Sequence, residues 1–221
     1  MYKRQGQGVA KAFAAAAPAD GITVLGNDPW DSKQTSYASE FTKIKGMAPD
    51  AIYLAGIYDN NGGQLIKDKV AVLGDQKTVP MMAPDGFTGY KELQALPQGE
   101  GLYLSFTGQT ADQLKAAGGT AATFLTAYKT KYGSDLTTSF ALYGVAAMQV
   151  LLAAIAKSDG TRKGVTDAVF AGDGVTVPAA TSITGGELKV DQKSGDMVKQ
   201  EISIQLLTGG KETFVKVQPV G

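Results

Sequence analysis

The sequence predicts an α/β fold, a parallel sheet covered by helices, and three observations carry that reading. Short continuous apolar runs, Ala51-Ile52-Tyr53-Leu54-Ala55-Gly56 and Val79-Pro80-Met81-Met82-Ala83, have the character of strands buried on both faces. Ahead of the first run the apolar residues recur at helical spacing, as Tyr37, Phe41 and Ile44 do. The loops that follow the strands are rich in Gly, Asn, Asp and aromatic residues. Such loops suit a small-molecule cleft, which parallel sheets place at the carboxyl ends of their strands.

Taken in order, a helix is expected over about Gly8 to Ala17, stopped by Pro18-Ala19-Asp20-Gly21. Ile22-Thr23-Val24-Leu25 reads as a short strand, followed by the polar loop Asn27-Asp28-Pro29-Trp30-Asp31. A helix from Tyr37 to Met47 ends at Pro49-Asp50, before the strand Ala51 to Gly56. A further helix covers about Gly63 to Leu73, and Val79 to Ala83 is the next strand. The character changes after Gly101-Leu102-Tyr103-Leu104-Ser105-Phe106. Helices are expected over Thr120 to Tyr132, Thr138 to Lys157 and Arg162 to Ala171. The second of these is apolar nearly all round, so burial on several sides is expected. The tail is β: Gly186 to Val190, Gln200 to Leu207 and Glu212 to Gln218, with Gly209-Gly210 as a hairpin signal.

Composition removes several function classes. Lys plus Arg and Asp plus Glu are 21 each, so the basic excess of a nucleic-acid binder is missing. The longest apolar run, near Val145 to Ala156, is interrupted by Gln149 and reads as a packed helix rather than a membrane span. Without Cys there is no disulfide, thiol nucleophile or thiolate metal site, and without His neither Ser-His-Asp catalysis nor most zinc sites. Asp59 to Gly63 superficially suggests a calcium loop but lacks the alternating acids and terminal Glu. No cofactor and no metal are expected.

One order of segments is more specific than any single motif. Gly6-Gln7-Gly8 opens a helix, Ser36-Tyr37 runs through Ile44-Lys45, and Pro49-Asp50 leads into the strand ending at Gly56. Gly63-Gln64-Leu65-Ile66-Lys67, Pro84-Asp85-Gly86 and Tyr143-Gly144-Val145-Ala146-Ala147 follow. In this order the chain resembles the periplasmic binding proteins of branched-chain amino-acid ABC importers, type I, from Gly6 to Gly221. The resemblance implies two α/β lobes that close on an amino acid and present it to a membrane permease. On that reading residues 6–105 and 182–221 form a nearly complete second lobe, and residues 106–181 the late, incomplete part of the first. Residues 1–5 fit no part of the pattern and look like a translated transposase sequencing adapter, so a truncated fragment lacking its signal segment is expected. The function implied is a monomeric, non-enzymatic solute-binding component at the periplasm or the outer face of the envelope, with a lipid anchor possible. An amino-acid or amide sensor of the same fold is the alternative, and an α/β enzyme the third reading.

Four residues are singled out for ligand contact. Asp85 stands at a strand's carboxyl end, where the resemblance implies an acid that takes the ligand's α-ammonium; an Asx-turn at Pro84-Asp85-Gly86 is the competing explanation. Ile57 and Tyr58 occupy the loop where the family presents an aromatic to the ligand, Tyr58 offering both ring and hydroxyl. Trp30 is either a cleft wall or a cover for the sheet edge. Since the carboxylate-gripping part of the first lobe is absent by this reading, the chain is expected to bind amino acid weakly or not at all.

Overall fold

The computed structural model describes residues 3–136 and 138–220, and side chains from residue 6 onward. Met1 and Tyr2, with the side chains of residues 3–5, lie outside that description, and the expected non-native start falls on them. In chain order the elements are α1 (Lys3–Ala16), α2 (Ala38–Gly46), β1 (Ile52–Tyr53), α3 (Gly62–Leu73), β2 (Met81–Ala83), α4 (Lys91–Gln94) and β3 (Tyr103–Thr107). Then come α5 (Ala111–Ala117), α6 (Gly119–Tyr132), α7 (Phe140–Lys157), α8 (Arg162–Phe170), β4 (Thr176–Val177), β5 (Leu188–Lys189), β6 (Gln200–Thr208) and β7 (Lys211–Val220). The chain forms two compact units. The first takes the residues up to Phe106 with Ser203–Lys216, and the second Thr107–Ile202 with the residues after Lys216.

The first unit carries a sheet in the order β1-β2-β3-β6-β7. Its β1, β2 and β3 are parallel, with Ile52 opposite Met81 and Met82 opposite Tyr103, as the alternation of apolar runs and helices predicts. Tyr37, Phe41, Ile66, Met81, Phe87, Leu93, Leu104 and Leu207 form its core. Each large side chain removed from water there contributes roughly 1.5–3 kcal/mol. The hairpin loop Gly209-Gly210 takes φ of 57° and 72°, a left-handed pair that only glycine adopts without strain. Lys69, fully buried on α3, staples the α3–β2 turn by donating to the Asp75 carbonyl (2.9 Å), Gln76 Oε1 (3.0 Å) and the Val79 carbonyl.

One expected strand does not form. Residues 22–25 join no ladder, and Ile22 and Leu25 are 47% and 51% exposed. Their β-branched composition favours an extended chain, but a strand needs a neighbour to take its N–H and C=O groups. Among the described residues nothing pairs with them, and β1 is an edge of its sheet.

In the second unit α5 begins with a capping box. Thr110 Oγ1 accepts from the Gln113 amide (3.3 Å), while the Thr110 amide donates to Gln113 Oε1 (2.9 Å). α7 packs the i, i+4 stripe Leu142, Ala146, Val150 and Ala154 against Leu114, Ala121, Ile183 and Leu188. The burial on several sides expected for this helix is not found: Met148, Leu151, Leu152 and Ile155 are all exposed. By length and composition α7 could cross a membrane, yet its buried stripe belongs to the core of this unit. Gln149, the polar break in its apolar run, donates to the Thr181 carbonyl (2.7 Å) and accepts from the Ile183 amide (2.9 Å). It thus binds the 181–183 segment to the helix.

Candidate functional site

Asp85 opens a single 3₁₀ turn, Asp85–Phe87, immediately beyond the carboxyl end of β2. Its backbone carbonyl accepts from the Thr88 amide (2.9 Å) and hydroxyl (2.8 Å), which fixes the turn. The side chain is half-buried. Burial pushes its carboxyl pKa above the usual carboxylate value, against a smaller opposing pull from a hydrogen bond to the Gly86 amide. No Lys or Arg forms an ion pair with it among the described residues. A carboxylate held this way is desolvated but not neutralised, and a cation arriving beside it replaces the lost solvation. Nearby, Tyr53 has its phenol pKa raised, first by burial and then by the Asp85 charge.

Ile57 and Trp30 are assembled around the same turn through glycines. A Cβ on Gly86 would lie 2.6 Å from Ile57 Cγ2 and 2.8 Å from the Gly56 carbonyl oxygen, so the turn rests directly on residues 56–57. A Cβ on Gly56 would lie 2.4 Å from Trp30 Cη2, because the indole lies over that residue. Trp30 Nε1 donates to the Asn60 carbonyl (2.8 Å) and so clamps the loop after β1. Gly6 explains half of the Gly-x-Gly motif. Its Cβ would fall 2.5 Å from the Ala55 carbonyl oxygen, whereas Gly8 faces open space.

Tyr58 donates its amide to the Gly86 carbonyl (3.0 Å) of the same turn, but its side chain lines a separate cavity. Its ring meets Phe87 edge-on at 6.0 Å and Tyr90 at 4.7 Å, and it lies over the start of α3. There it lines a cavity of about 590 Å³ together with Asp59, Asn61, Lys67, Tyr90 and Glu92. Asp85, Ile57 and Trp30 are not among that cavity's walls. The structure therefore gathers all four singled-out residues around the Asp85 turn, with the Tyr58 side chain also lining the neighbouring cavity.

Several supporting residues carry little signal in the sequence. Asn61 takes a left-handed φ of 69° and donates to the Gln34 carbonyl (2.7 Å) and Tyr37 Oη (3.1 Å), joining the loop before α2 to the start of α3. Tyr37 is fully buried and donates to the Asp31 carbonyl (2.7 Å). Asn at a turn ahead of a helix was the available hint for the first; the second is marked in the sequence only as the start of an apolar helical stripe. Among the described residues no cluster of three or more His, Cys, Asp or Glu could hold a metal ion. Asp59, the first acid of the apparent calcium loop, instead accepts from the Tyr90 hydroxyl (3.1 Å).

Comparison with known proteins agrees with the fold. The family model for periplasmic binding proteins matches residues 3–200. A Leu/Ile/Val-binding protein of Rhizobium johnstonii is 28% identical over 207 residues, 93% of this chain and 52% of that protein. The crystal structure of a leucine-binding protein from Thermotoga maritima superposes with a TM-score of 0.70 at 21% identity, over 95% of this chain and 56% of that one. A solute-binding protein of an ABC transporter from Rhodopseudomonas palustris, solved with p-hydroxybenzoic acid, gives 0.73 at 16% identity, over 96% and 56%. These structures share the fold. The chain spans about half the length of the relatives it matches.

Proposed function

The chain belongs to the periplasmic binding protein family, and from that premise we propose that it serves an ABC importer as a solute-binding component for branched-chain or related amino acids. The observation that carries this reading is Asp85, a half-buried carboxylate with no cationic partner among the described residues, in a turn whose Gly86 rests on the apolar Ile57. An α-ammonium satisfies such a group, and an apolar side chain suits its neighbour. A ligand whose only charge is a carboxylate would instead add a second negative charge there, so the aromatic acid of the Rhodopseudomonas protein is not the solute expected here. In the working protein two lobes close on the zwitterion and the closed form is delivered to a membrane permease, in the periplasm or at the outer face of the envelope. The protein acts as a monomer, and its role is binding rather than catalysis.

The test is titration of the ¹⁵N-labelled 221-residue chain with L-leucine, followed at the Ile57 and Gly86 amides. Weak saturable shifts are expected, with a dissociation constant on the order of millimolar. Asp85→Asn should weaken them about tenfold, the scale of a hydrogen bond to a charged group. 4-Methylpentanoate, which lacks the amine, should not compete. Equal binding by that acid, or indifference to Asp85→Asn, would sink the assignment of Asp85. Micromolar leucine binding by calorimetry would overturn the expected weakness.

A further inference from the structure

The cavity walled by α3 and α4 adjoins the Asp85 turn through Tyr58, but no residue of that turn lines it, and its chemistry points to a ligand of its own. Its volume of about 590 Å³ falls within the range of small-molecule sites. Tyr58 and Tyr90 supply half-buried rings 4.7 Å apart, tilted by 39°. Their placement is built in. A Cβ on Gly63 would lie 2.9 Å from Tyr58 Oη, and one on Gly62 2.6 Å from the Phe87 ring, so the two glycines that open α3 make room for this aromatic cluster. Two exposed carboxylates, Asp59 and Glu92, and one exposed cation, Lys67, line it with the rings. Asp59 keeps one oxygen on the Tyr90 hydroxyl, and Glu92 forms no ion pair among the described residues.

We propose that this cavity is a second small-molecule site, taking an organic ammonium ion with a flat or bulky apolar body. The tyrosine faces attract a cation, and the carboxylates fix its position. The apolar body lies against Leu96 and the rings. The proposal does not rest on the reading of Asp85, which lines no part of this cavity.

The test uses phenethylamine as probe and 3-phenylpropionate as the anion of similar shape, each titrated into the ¹⁵N-labelled 221-residue chain near neutral pH. The amine should give saturable shifts at the Asn61 and Gln64 side-chain amides, and the acid should bind more weakly. Tyr90→Ala should weaken the amine about tenfold, and Tyr90→Phe, which keeps the ring, should retain binding. Glu92→Gln changes an exposed residue that the fold does not depend on, and should weaken the amine roughly two- to fivefold. Asp85→Asn should leave the shifts unchanged. Absence of saturable shifts at those two amides overturns the proposal, as does equal binding by the acid. Loss of the shifts in Asp85→Asn would place the amine at the other turn, overturning this proposal while leaving the first reading intact. Leucine binding that is indifferent to Asp85→Asn, with the amine shifts retained, would do the reverse.

Discussion

Replacing Gly108 by alanine should be among the most damaging single-methyl additions in this protein. Gly108 has φ of 92°, and an added Cβ would fall 2.1 Å from Tyr143 Oη and 2.5 Å from its Cζ. Neither clash is relieved by a small shift, because the phenol is held from both sides. It accepts from the Gln109 amide (2.6 Å) and donates to the Gln109 carbonyl (2.8 Å), and burial pushes its pKa up to about 12. Left-handed backbone costs alanine about 1–2 kcal/mol. Expelling Tyr143 forfeits two hydrogen bonds, each worth about 1 kcal/mol net and more where a buried group is left unpaired. Against this stands a gain of about 0.4–1 kcal/mol from the stiffer unfolded chain. The balance is a loss of roughly 2–4 kcal/mol. Urea unfolding followed by circular dichroism measures it, and Tyr143→Ala provides the internal control. In that background the alanine has room, so its cost should fall to the backbone strain less the unfolded-chain gain, about 0–1.6 kcal/mol. Additive costs, or a loss below about 1 kcal/mol in the single variant, would refute the argument.

Two further predictions concern buried charge. Burial pulls the Lys69 ammonium down to about 8 from its ordinary value of 10.5. Over that interval the unfolded chain binds more protons than the folded one, so this residue makes stability rise with pH between about 8 and 10.5. Lys69→Met should flatten that rise in urea titrations at successive pH values. It should also cost about 2–4 kcal/mol near neutral pH, through the acceptors left unpaired in the α3–β2 turn. A rise unchanged in the variant refutes the assignment. The Asp85 carboxyl is raised by burial, so its ionisation opposes folding as pH climbs from its unfolded value through its folded one. Asp85→Asn should therefore raise the melting temperature at pH 7 in the absence of ligand, and should not do so at pH 3, where both forms are neutral. A lower melting temperature at pH 7 would mean the carboxylate is already compensated.

The parallel sheet was legible because strands buried on both faces are written as continuous apolar runs, and β1 and β2 fall inside the two that were recognised. The Gly209-Gly210 hairpin was legible for a similar local reason, a pair of residues able to take positive φ. Residues 22–25 have strand composition but no ladder, because pairing belongs to the neighbour and not to the segment. The helix α5 was missed, although its start is written as the capping box Thr110 to Gln113. At the site, Asp85 could be picked out as an acid after a buried strand. The separation of Ile57 from Tyr58 could not, since two adjacent residues differ only in the direction the backbone gives them.

The sequence by itself determined the class of fold, the family resemblance, the exclusion of cysteine and histidine chemistry, and the acid at position 85. These depend on composition, on periodicity and on the order of segments, which survive without coordinates. Only the tertiary structure decided that Ile57 meets the Asp85 turn through its side chain, while Tyr58 meets it through its amide and the Phe87 ring and lines a cavity with Tyr90. It alone showed that Asp85 has no cationic partner among the described residues, and that Lys69 is spent on three acceptors of one turn. The physical reason is the same in each case. Burial, pairing and desolvation depend on distances between residues far apart in the chain, and those distances are set by packing.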